Sequence, residues 1–340
     1  MSKVAKVIGC GMFLPENRVS SDELEKKLNF EKLGVRKGTI KLLNGVNERR
    51  IANEDDVPSD FAAAATKEAM EMAKINTEEL DAILYCSISS DFTEPATANV
   101  IQHKIGANKC QCFDVKNACN AFLNGLQIAN ALIVSGSCET VLVATGEIVS
   151  KYLRTNYQSA EEVSGNNTTL GYGDGGGAVI LRGVESDDPM DGIYCRFETY
   201  GEFWNQGAIW GGGTTKYMKD SDKFYMQNLN KDMVQKNTAR AMFFFYDSMK
   251  KSKVKVSDVD LFIPTQASKY QIKNAAEVLK IPMDKVVMQL TEIGNVASCS
   301  MPIALCRALK EGVLSLNSGQ RVVFLGAGNG FTQGYVTIKL

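Results

Sequence analysis

Histidine is almost missing from this sequence of 340 residues, which contains only His103. One histidine, and nine cysteines without a C-x-x-C pair, argue against a metal site and against a disulfide scaffold. No apolar run approaches the ~20 residues of a membrane span, and the opening MSKVAKVIGCGMFLP is too short in apolar residues for a signal peptide. Lys plus Arg (38) balance Asp plus Glu (39), so nothing in the charge suggests nucleic acid. We therefore expect a cytoplasmic protein with reduced thiols.

The second part of the sequence repeats the organisation of the first. The apolar runs LDAILYCSIS and VDLFIPTQAS each contain an aspartate at their start, Asp81 in the first and Asp260 in the second. Each half also has a later predicted strand that runs into glycine. It is VLVATGE, from Val141, in the first half and VVFLGAG, from Val322, in the second. The offset from Asp81 to Asp260 agrees within two residues with the offset from Val141 to Val322. We interpret the chain as a tandem duplication of strand–helix units.

The duplication divides the chain into an N-terminal half, residues 1–183, and a C-terminal half, residues 184–340. Continuous apolar strands that alternate with helices predict a buried, largely parallel sheet in each half. The segment ACNAFLNGLQIANALIVSG is apolar nearly all round apart from a narrow polar stripe at helical period. Such a helix is a buried one, so we expect it between the two sheets.

Cys119 stands where a predicted strand passes into this helix, in FDVKNACNAFLNG. Most free cysteines are small buried hydrophobes, and the other eight fit that description. Cys119 instead falls at the first turn of the predicted helix, where the dipole and the free N–H groups favour a thiolate. The same N–H groups could stabilise an oxyanion. From the spacing alone, a nucleophile and a buried thiol are equally good interpretations.

A thiol nucleophile normally has a histidine as its base, and His103 is a poor candidate. It lies in TANVIQHKIGA, beside the apolar face and next to Lys104, which favours an exposed structural residue. Asn295 is a better partner, because GNVASC takes the place in the second half that KNAC takes in the first. Pseudo-twofold symmetry would point its amide at Cys119, where two N–H donors could polarise a thioester carbonyl. Asn295 could equally serve as a helix cap.

Five motifs together resemble the thiolase superfamily, most closely its ketoacyl-acyl-carrier-protein synthase III branch. The resemblance covers essentially the whole chain and implies an α/β protein with a duplicated thiolase fold. That fold has five layers, α-β-α-β-α, with two mixed sheets around buried helices. The motifs, in the order and spacing of the family, are KNAC (116–119), GDGGGAVIL (173–181), IPTQAS (263–268), GNVAS (294–298) and GAGNGF (326–331).

The resemblance also implies a chemistry and its partners. It implies an acyl group carried on Cys119, with oxyanion contacts from Cys119 and from the family's glycine turn, where Asn329 is central. The implied substrates are acyl thioesters of coenzyme A or of an acyl carrier protein, with no tightly bound cofactor. The implied assembly is a homodimer.

A finer resemblance is to the olefin-biosynthesis thiolases, which join two acyl thioesters head to head. NACNAFLNGLQIAN, FTEPATA and GNVASCSMP are similar to that subfamily, which uses a glutamate reached across the dimer as a base. Glu94 takes that place in the motif, so the resemblance implies that it is the base. A plain alternative is a residue at a helix start before Pro95, where a negative charge suits the dipole.

The sequence departs from the family at its histidine. The matching position in IPTQAS is Thr265, and a threonine cannot take a proton from a thiol or stabilise an enolate as an imidazole does. The tryptophan and arginine that hold the adenine of coenzyme A in the fatty-acid enzymes are also absent, since the matching segment reads TIKLL (39–43). These departures argue against acetyl-coenzyme A priming of fatty-acid synthesis.

Three functions follow from the resemblance and its departures. The first is an acyltransferase that passes the acyl group from Cys119 to a second acyl thioester, in a Claisen-type condensation of lipid or polyketide biosynthesis. The second is a catalytically impaired subunit of a heterodimer with an active homologue. The third is acyl transfer to oxygen or nitrogen, because decarboxylative condensation depends most on the missing histidine.

Overall fold

The structure, a computed structural model, describes residues 1–213, 224–227 and 231–340. The strands are β1 (Ser2–Phe13), β2 (Arg18–Ser20), β3 (Glu48–Arg50), β4 (Ala82–Cys86), β5 (Gln111–Val115), β6 (Thr140–Glu147), β7 (Gly175–Ser186), β8 (Tyr194–Thr199), β9 (Leu261–Pro264), β10 (Arg321–Gly328) and β11 (Thr332–Lys339). The helices are α1 (Ser21–Lys27), α2 (Thr39–Asn44), α3 (Pro58–Ala73), α4 (Thr97–Ile105), α5 (Ala121–Val134), α6 (Ala160–Gly165), α7 (Lys231–Lys251), α8 (Lys269–Val278), α9 (Leu290–Ile293) and α10 (Ser300–Lys310).

Each half of the chain builds one main sheet. The first has the order β1-β7-β6-β4-β5 and the second the order β8-β11-β10-β9. Strand β4 runs parallel to β5 and β6, and β9 runs parallel to β10, but every pairing of β7 and β11 is antiparallel. The prediction of largely parallel sheets is therefore wrong, and the mixed sheets implied by the resemblance are confirmed. Strand β11 follows β10 after a tight turn, which leaves no room for the crossover that a parallel pair needs.

The five layers follow from the alternation of side chains along the strands. In β4, Ile83 packs against the outer helices α3 and α4, whereas Leu84 packs against the inner helices α5 and α10. In β10, Phe324 faces the same inner helices and Val323 faces the outer helices α7 and α8. The order is outer helices, sheet, inner helices, sheet, outer helices. This confirms the predicted fold class.

Helix α5 lies between the two sheets, as predicted, and one edge of it reaches the surface of the chain. Phe122 and Leu126 are buried in the core that both sheets share. Gln127, from the polar stripe, is exposed. The stripe is thus uncovered at Gln127, whereas Asn120 at its start is completely buried.

The duplication is visible in two unusual backbone positions. Ala118 and Ala297 both adopt left-handed conformations, with φ values of 48° and 46°. They hold equivalent places in KNAC and GNVAS, the two motifs that precede the inner helices α5 and α10. A non-glycine residue in this region costs roughly 1–2 kcal/mol, so it persists only where the surroundings impose it. Each half therefore folds the same strained turn at the start of its inner helix.

Candidate active site

The nucleophile turn connects β5 to α5. The N–H of Asn120 donates to Asn117 O at 3.0 Å, and the N–H of Ala121 donates to Ala118 O at 3.2 Å. Helix α5 starts at Ala121 after its N-cap Asn120, so Cys119 precedes the helix. The prediction that Cys119 sits in the first helical turn is corrected to this position. The left-handed Ala118 supplies the sharp bend that presents Cys119.

The second half of the chain holds this turn in place. The hydroxyl of Thr332 in β11 accepts from the side-chain amides of Asn117 at 3.3 Å and Asn120 at 3.4 Å. Gly326 in β10 lies so close to Asn120 that an added Cβ would overlap its Oδ1. Because both flanks of Cys119 contact β10 or β11, the position of the thiol depends on both halves.

A cavity of about 300 Å³ opens onto Cys119. Three further residues singled out from the sequence line it as well, namely Asn295, Thr265 and Asn329. Among the described residues, no Asp, Glu, Lys, Arg or His lines the cavity. The remaining lining residues are Gly165, Asn167, Thr168, Tyr172, Gln206, Gly207, Thr238, Ala241, Met242, Phe245, Pro264, Ala267, Gln271, Ile272, Asn274, Ala275, Leu325, Ala327, Gly328, Gly330 and Phe331.

The thiol of Cys119 is held in its protonated form. Burial, and after it the nearby carboxylate of Glu147, raise its pKa to about 12, against a smaller lowering by its own backbone N–H. The predicted activation of the thiol by the helix start is therefore not seen in the resting site. Desolvation and one negative charge outweigh the helix dipole.

Asn295 is both a cap and a cavity residue. Its Oδ1 accepts from the N–H of Ala297 at 2.9 Å, which closes the strained turn of the second half. Its backbone also pairs with the loop before β7, through Gly171 O at 2.8 Å and the N–H of Gly173 at 3.1 Å. The Nδ2 of Asn295 has no protein acceptor among the described residues. The side chain thus presents donors to the cavity from a fixed position.

The hydroxyl of Thr265 is occupied by the backbone of β10. It accepts from the N–H of Ala327 at 2.8 Å and lies 3.2 Å from Ala327 O, to which it donates. Leu325 O also lies 3.5 Å from the hydroxyl, so the contacts of the Thr265 side chain are with the backbone of β10. This residue fastens the end of β9 to β10.

Comparison with known proteins identifies the family. The model of 3-oxoacyl-(acyl-carrier-protein) synthase III matches residues 113–196, and the model of its C-terminal part matches residues 249–340. The β-ketoacyl-(acyl-carrier-protein) synthase III of Clostridium perfringens strain SM101 is 32% identical over 99% of this chain and 99% of its own. The chain belongs to the 3-oxoacyl-(acyl-carrier-protein) synthase III family. This is a family of acyltransferase-type condensing enzymes.

Two solved structures, a synthase III enzyme and OleA, share the fold along nearly the full chain. The enzyme of Aquifex aeolicus VF5 has a TM-score of 0.84 at 28% identity and covers 99% of this chain and 100% of its own. Xanthomonas campestris OleA with bound lauric acid and lauroyl-CoA has a TM-score of 0.86 at 23% identity, and 99% of each chain is covered. The second likeness shows the fold alone.

Replacing Thr265 by histidine tests whether this synthase III site has kept room for an imidazole. We expect Thr265→His to raise malonyl-thioester decarboxylation by about tenfold or more, below the 10²–10⁴ of a well-placed general acid–base group. The measurement is release of CO₂ from a malonyl thioester. Thr265→Asn is the matched control, since it also removes the hydroxyl but brings no base. An unchanged rate in a folded Thr265→His protein would mean that the site has been remodelled beyond this position.

Glu94 lies outside the cavity of its own chain. It is exposed in the loop that precedes α4. The start of α4 is fixed to β5 by the carboxylate of Asp114, which accepts from the N–H groups of Thr97 at 2.8 Å and Ala98 at 2.9 Å. His103 is exposed on α4, in agreement with its interpretation as a surface residue. In a single chain, neither Glu94 nor His103 can serve Cys119 as a base.

Asn329 occupies the turn between β10 and β11. Its side chain packs over Gly207, and its Nδ2 lies 3.5 Å from the sulfur of Met226. Gly328, next to it, packs directly on the nucleophile turn, since an added Cβ would lie 3.4 Å from Cys119 N. The glycine turn of the family therefore borders the nucleophile turn, as the resemblance implied.

Glu147 is a buried carboxylate near Cys119 that the sequence reasoning missed. It ends β6, is completely buried, and accepts a hydrogen bond at 2.6 Å from the hydroxyl of Ser298. Burial raises its pKa, against the lowering by its hydrogen-bond donors. The sequence signal for this residue is a glutamate at the end of VLVATGE, a segment with no other charged residue.

Two kinds of feature are absent from the described residues. In this part of the chain no helix is long and apolar enough to cross a membrane. Within the same residues, no group of three or more His, Cys, Asp or Glu side chains could hold a metal ion.

Proposed function

We propose that the protein forms an acyl thioester on Cys119 and transfers the acyl group to a second acyl thioester in a Claisen-type condensation. The observation behind this proposal is the shared cavity, in which a thiol on a strained turn faces the amide of Asn295. Membership of a family of condensing enzymes supports the reaction class. The two half-reactions make different demands on the site.

The first half-reaction needs a thiol and donors for an oxyanion. The sulfur of Cys119 attacks the carbonyl carbon of the acyl thioester, and the carbonyl electron pair moves onto oxygen. The N–H of Cys119, the glycine turn at Asn329 and the Nδ2 of Asn295 are the donors proposed for that charge. Collapse of the intermediate expels the carrier thiolate, which takes the proton that the thiol of Cys119 gives up.

The second half-reaction needs a carbanion. A base removes the α-proton of the second acyl thioester, and the resulting carbanion attacks the acyl carbon on Cys119. The new carbon–carbon bond forms as the Cys119 thiolate leaves. Because the cavity has no charged side chain among the described residues, we propose Glu94 of a second chain in a homodimer as that base.

The neutral polar lining of the cavity suits coenzyme A and acyl carrier protein, the thioester carriers that the resemblance implied. Its polar lining is made of neutral amides and hydroxyls, including Asn167, Gln206, Gln271 and Asn274. The arm shared by coenzyme A and acyl carrier protein is a neutral chain with two amide groups, which such a lining can hydrogen-bond. The named synthase III relatives act with an acyl carrier protein, which supports a thioester substrate here.

A catalytically impaired subunit is the second candidate. The observation in its favour is Thr265, whose hydroxyl is committed to Ala327 and offers no proton acceptor to the cavity. In that case Cys119 would be acylated slowly or not at all by the isolated chain, and a homologue with the histidine would be required. Transfer to oxygen or nitrogen would instead show normal acylation with no carbon–carbon product.

The deciding experiment is intact-protein mass spectrometry after incubation with acyl thioesters of graded chain length. We expect one added acyl group, mapped to Cys119 by peptide analysis. Addition of a second acyl or malonyl thioester should then discharge the enzyme and release a β-ketoacyl product. No adduct with any thioester would contradict the proposal, and an adduct discharged only by alcohols or amines would replace condensation by the third function.

Removing the amide of Asn295 should slow acylation. We expect Asn295→Ala to lower the rate of acyl-Cys119 formation by roughly 10²-fold, the usual scale for one oxyanion donor. Asn295→Ser is the matched variant, because its hydroxyl can still accept from the N–H of Ala297 as a cap. If the rate falls in alanine but recovers in serine, the side chain acts only as a cap and the amide donor is not needed.

A further inference from the structure

The two strained turns of the duplicated fold differ in what stands beside them. Cys119 in the first half corresponds to Ser298 in the second, because each directly follows a left-handed alanine. Glu147 corresponds to Gly328, because each is the last residue of its strand, β6 in the first half and β10 in the second. The pseudo-twofold axis therefore relates Cys119 to Ser298 and Gly328 to Glu147. Ser298 lies beside the carboxylate of Glu147, whereas Cys119 lies beside Gly328, which has no side chain.

In the second half, the carboxylate of Glu147 lies at the turn and accepts three hydrogen bonds. Glu147 accepts from the hydroxyl of Ser298 at 2.6 Å, from the N–H of Ile88 at 2.9 Å and from the N–H of Ser89 at 3.0 Å. Glu147 and Ser298 are completely buried. Three donors on one carboxylate favour its ionised form and fix its position.

In the first half, the residue that corresponds to Glu147 brings no side chain and packs closely on the nucleophile turn. Gly328 has no side chain there, and a Cβ would lie 3.4 Å from both Ala118 Cβ and Cys119 N, and 2.9 Å from Thr332 Cγ2. Gly328 and Cys119 both line the cavity. Cys119 lines the cavity and packs in the same apolar cluster as Ile88 and Ala297. Ile88 donates its N–H to Glu147, and Ala297 directly precedes Ser298, so the thiol lies close to the Glu147–Ser298 contact.

From this arrangement we propose that Glu147 and Ser298 form a positioning pair that holds the Cys119 thiol un-ionised in the empty site. The negative charge opposes formation of a thiolate, so the proton leaves the sulfur only as the carbonyl carbon is attacked. The pair touches no substrate and acts through Cys119. It gives the second, non-reacting turn of the duplication a function.

Among the described residues, several neutral groups respond to the charge of Glu147. The other titratable side chains that interact electrostatically with Glu147 or Cys119 are neutral phenols and a thiol. They are Tyr85 of β4, Tyr152, Tyr172 and Cys299. No lysine, arginine or histidine lines the cavity among the described residues, so no positive charge offsets the carboxylate at the thiol.

Glu147→Gln should make Cys119 more acidic. Loss of the charge removes the opposition to the thiolate, so the pKa of Cys119 should fall by about one unit. At fixed neutral pH the thiolate fraction then rises about tenfold, and the alkylation rate about threefold, because a less basic thiolate is a weaker nucleophile. The measurement is the rate of iodoacetamide addition to the Cys119 peptide across neutral and alkaline pH, resolved by mass spectrometry from the other eight cysteines.

Ser298→Ala gives a second signature that a packing defect would not produce. Loss of its donor raises the pKa of Glu147, so the carboxyl stays protonated to a higher pH. Alkylation of Cys119 should therefore exceed that of the unmodified protein only between the two pKa values of Glu147, because the carboxyl is protonated in both proteins below that window and ionised in both above it. In Glu147→Gln the excess should instead persist at every pH above the pKa that Glu147 has in the unmodified protein. Cys299→Ala, a buried neutral neighbour, is the packing control and should leave the profile unchanged.

An unchanged profile in folded Ser298→Ala and Glu147→Gln proteins would overturn the proposal. If Glu147→Gln does not fold, the pH dependence in Ser298→Ala decides alone. The proposal rests on the assignment of Cys119 as the reactive thiol, but alkylation requires no acyl thioester. A failed acylation would refute the proposed function while leaving this measurement intact.

Discussion

Cys119→Ala will leave the protein without a covalent acyl intermediate. We expect the acyl adduct to fall below roughly one part in 10³ of its normal level, because alanine has no nucleophile and the other eight thiols are outside the cavity. The fold should persist, since the substitution removes a single atom from a half-buried side chain whose turn is held by Thr332 and Gly326. Intact-protein and peptide mass spectrometry measure the adduct directly.

Two controls separate this result from trivial causes. Cys112→Ala removes a cysteine on β5 of comparable burial and should acylate normally. The circular dichroism spectrum and thermal midpoint of Cys119→Ala should match the unmodified protein. Label that remains in Cys119→Ala, or label that maps to another cysteine, would transfer the assignment away from Cys119.

Glu94→Gln should separate the two half-reactions. Acylation of Cys119 needs no external base in the proposed scheme, so it should proceed at its normal rate. The second half-reaction should slow by roughly 10²-fold or more, the usual scale for loss of a general base. The measurement is single-turnover discharge of preformed acyl-Cys119 by a second acyl thioester.

The geometry of the assembly supplies the control for Glu94. The residue is exposed in the single chain and lies outside its own cavity, so it can act only from a second chain. Mixing Glu94→Gln with Cys119→Ala should restore activity in the heterodimer, where one site receives both Cys119 and Glu94. Equal discharge rates in Glu94→Gln and the unmodified protein, or a monomer at micromolar concentration with full activity, would exclude this role.

Most of the candidate site follows from the sequence. Cys119 and Asn295 are far apart in the chain, yet the duplication predicts that their turns meet. Thr265 and Asn329 were singled out by the resemblance to the family, and the structure brings all four residues to one cavity. The duplication itself was readable because strands and helices repeat at nearly constant offset. Periodicity therefore predicted that Cys119 and Asn295 meet, and the family motifs supplied the other two residues.

The parts that failed depend on features that residue type does not signal. The helix start was placed too early because Ala118 is left-handed, a conformation that an alanine gives no hint of. The effect of Glu147 on the thiol was missed because it depends on burial and on Ser298, which is distant in sequence. The sheet directions were misjudged because both halves end in a strand that returns without a crossover.

The dependence of the nucleophile turn on Thr332 and Gly326 has an evolutionary consequence. A single half would carry the thiol but neither the anchor of its flanking amides nor the opposite turn, so a protein ending at Ser186 should be inert. The matched conformations of Ala118 and Ala297 show the same turn in both halves, of which one carries the thiol and the other is joined to the carboxylate of Glu147 through Ser298. Because neither half is complete alone, we expect the two turns to be inherited only together.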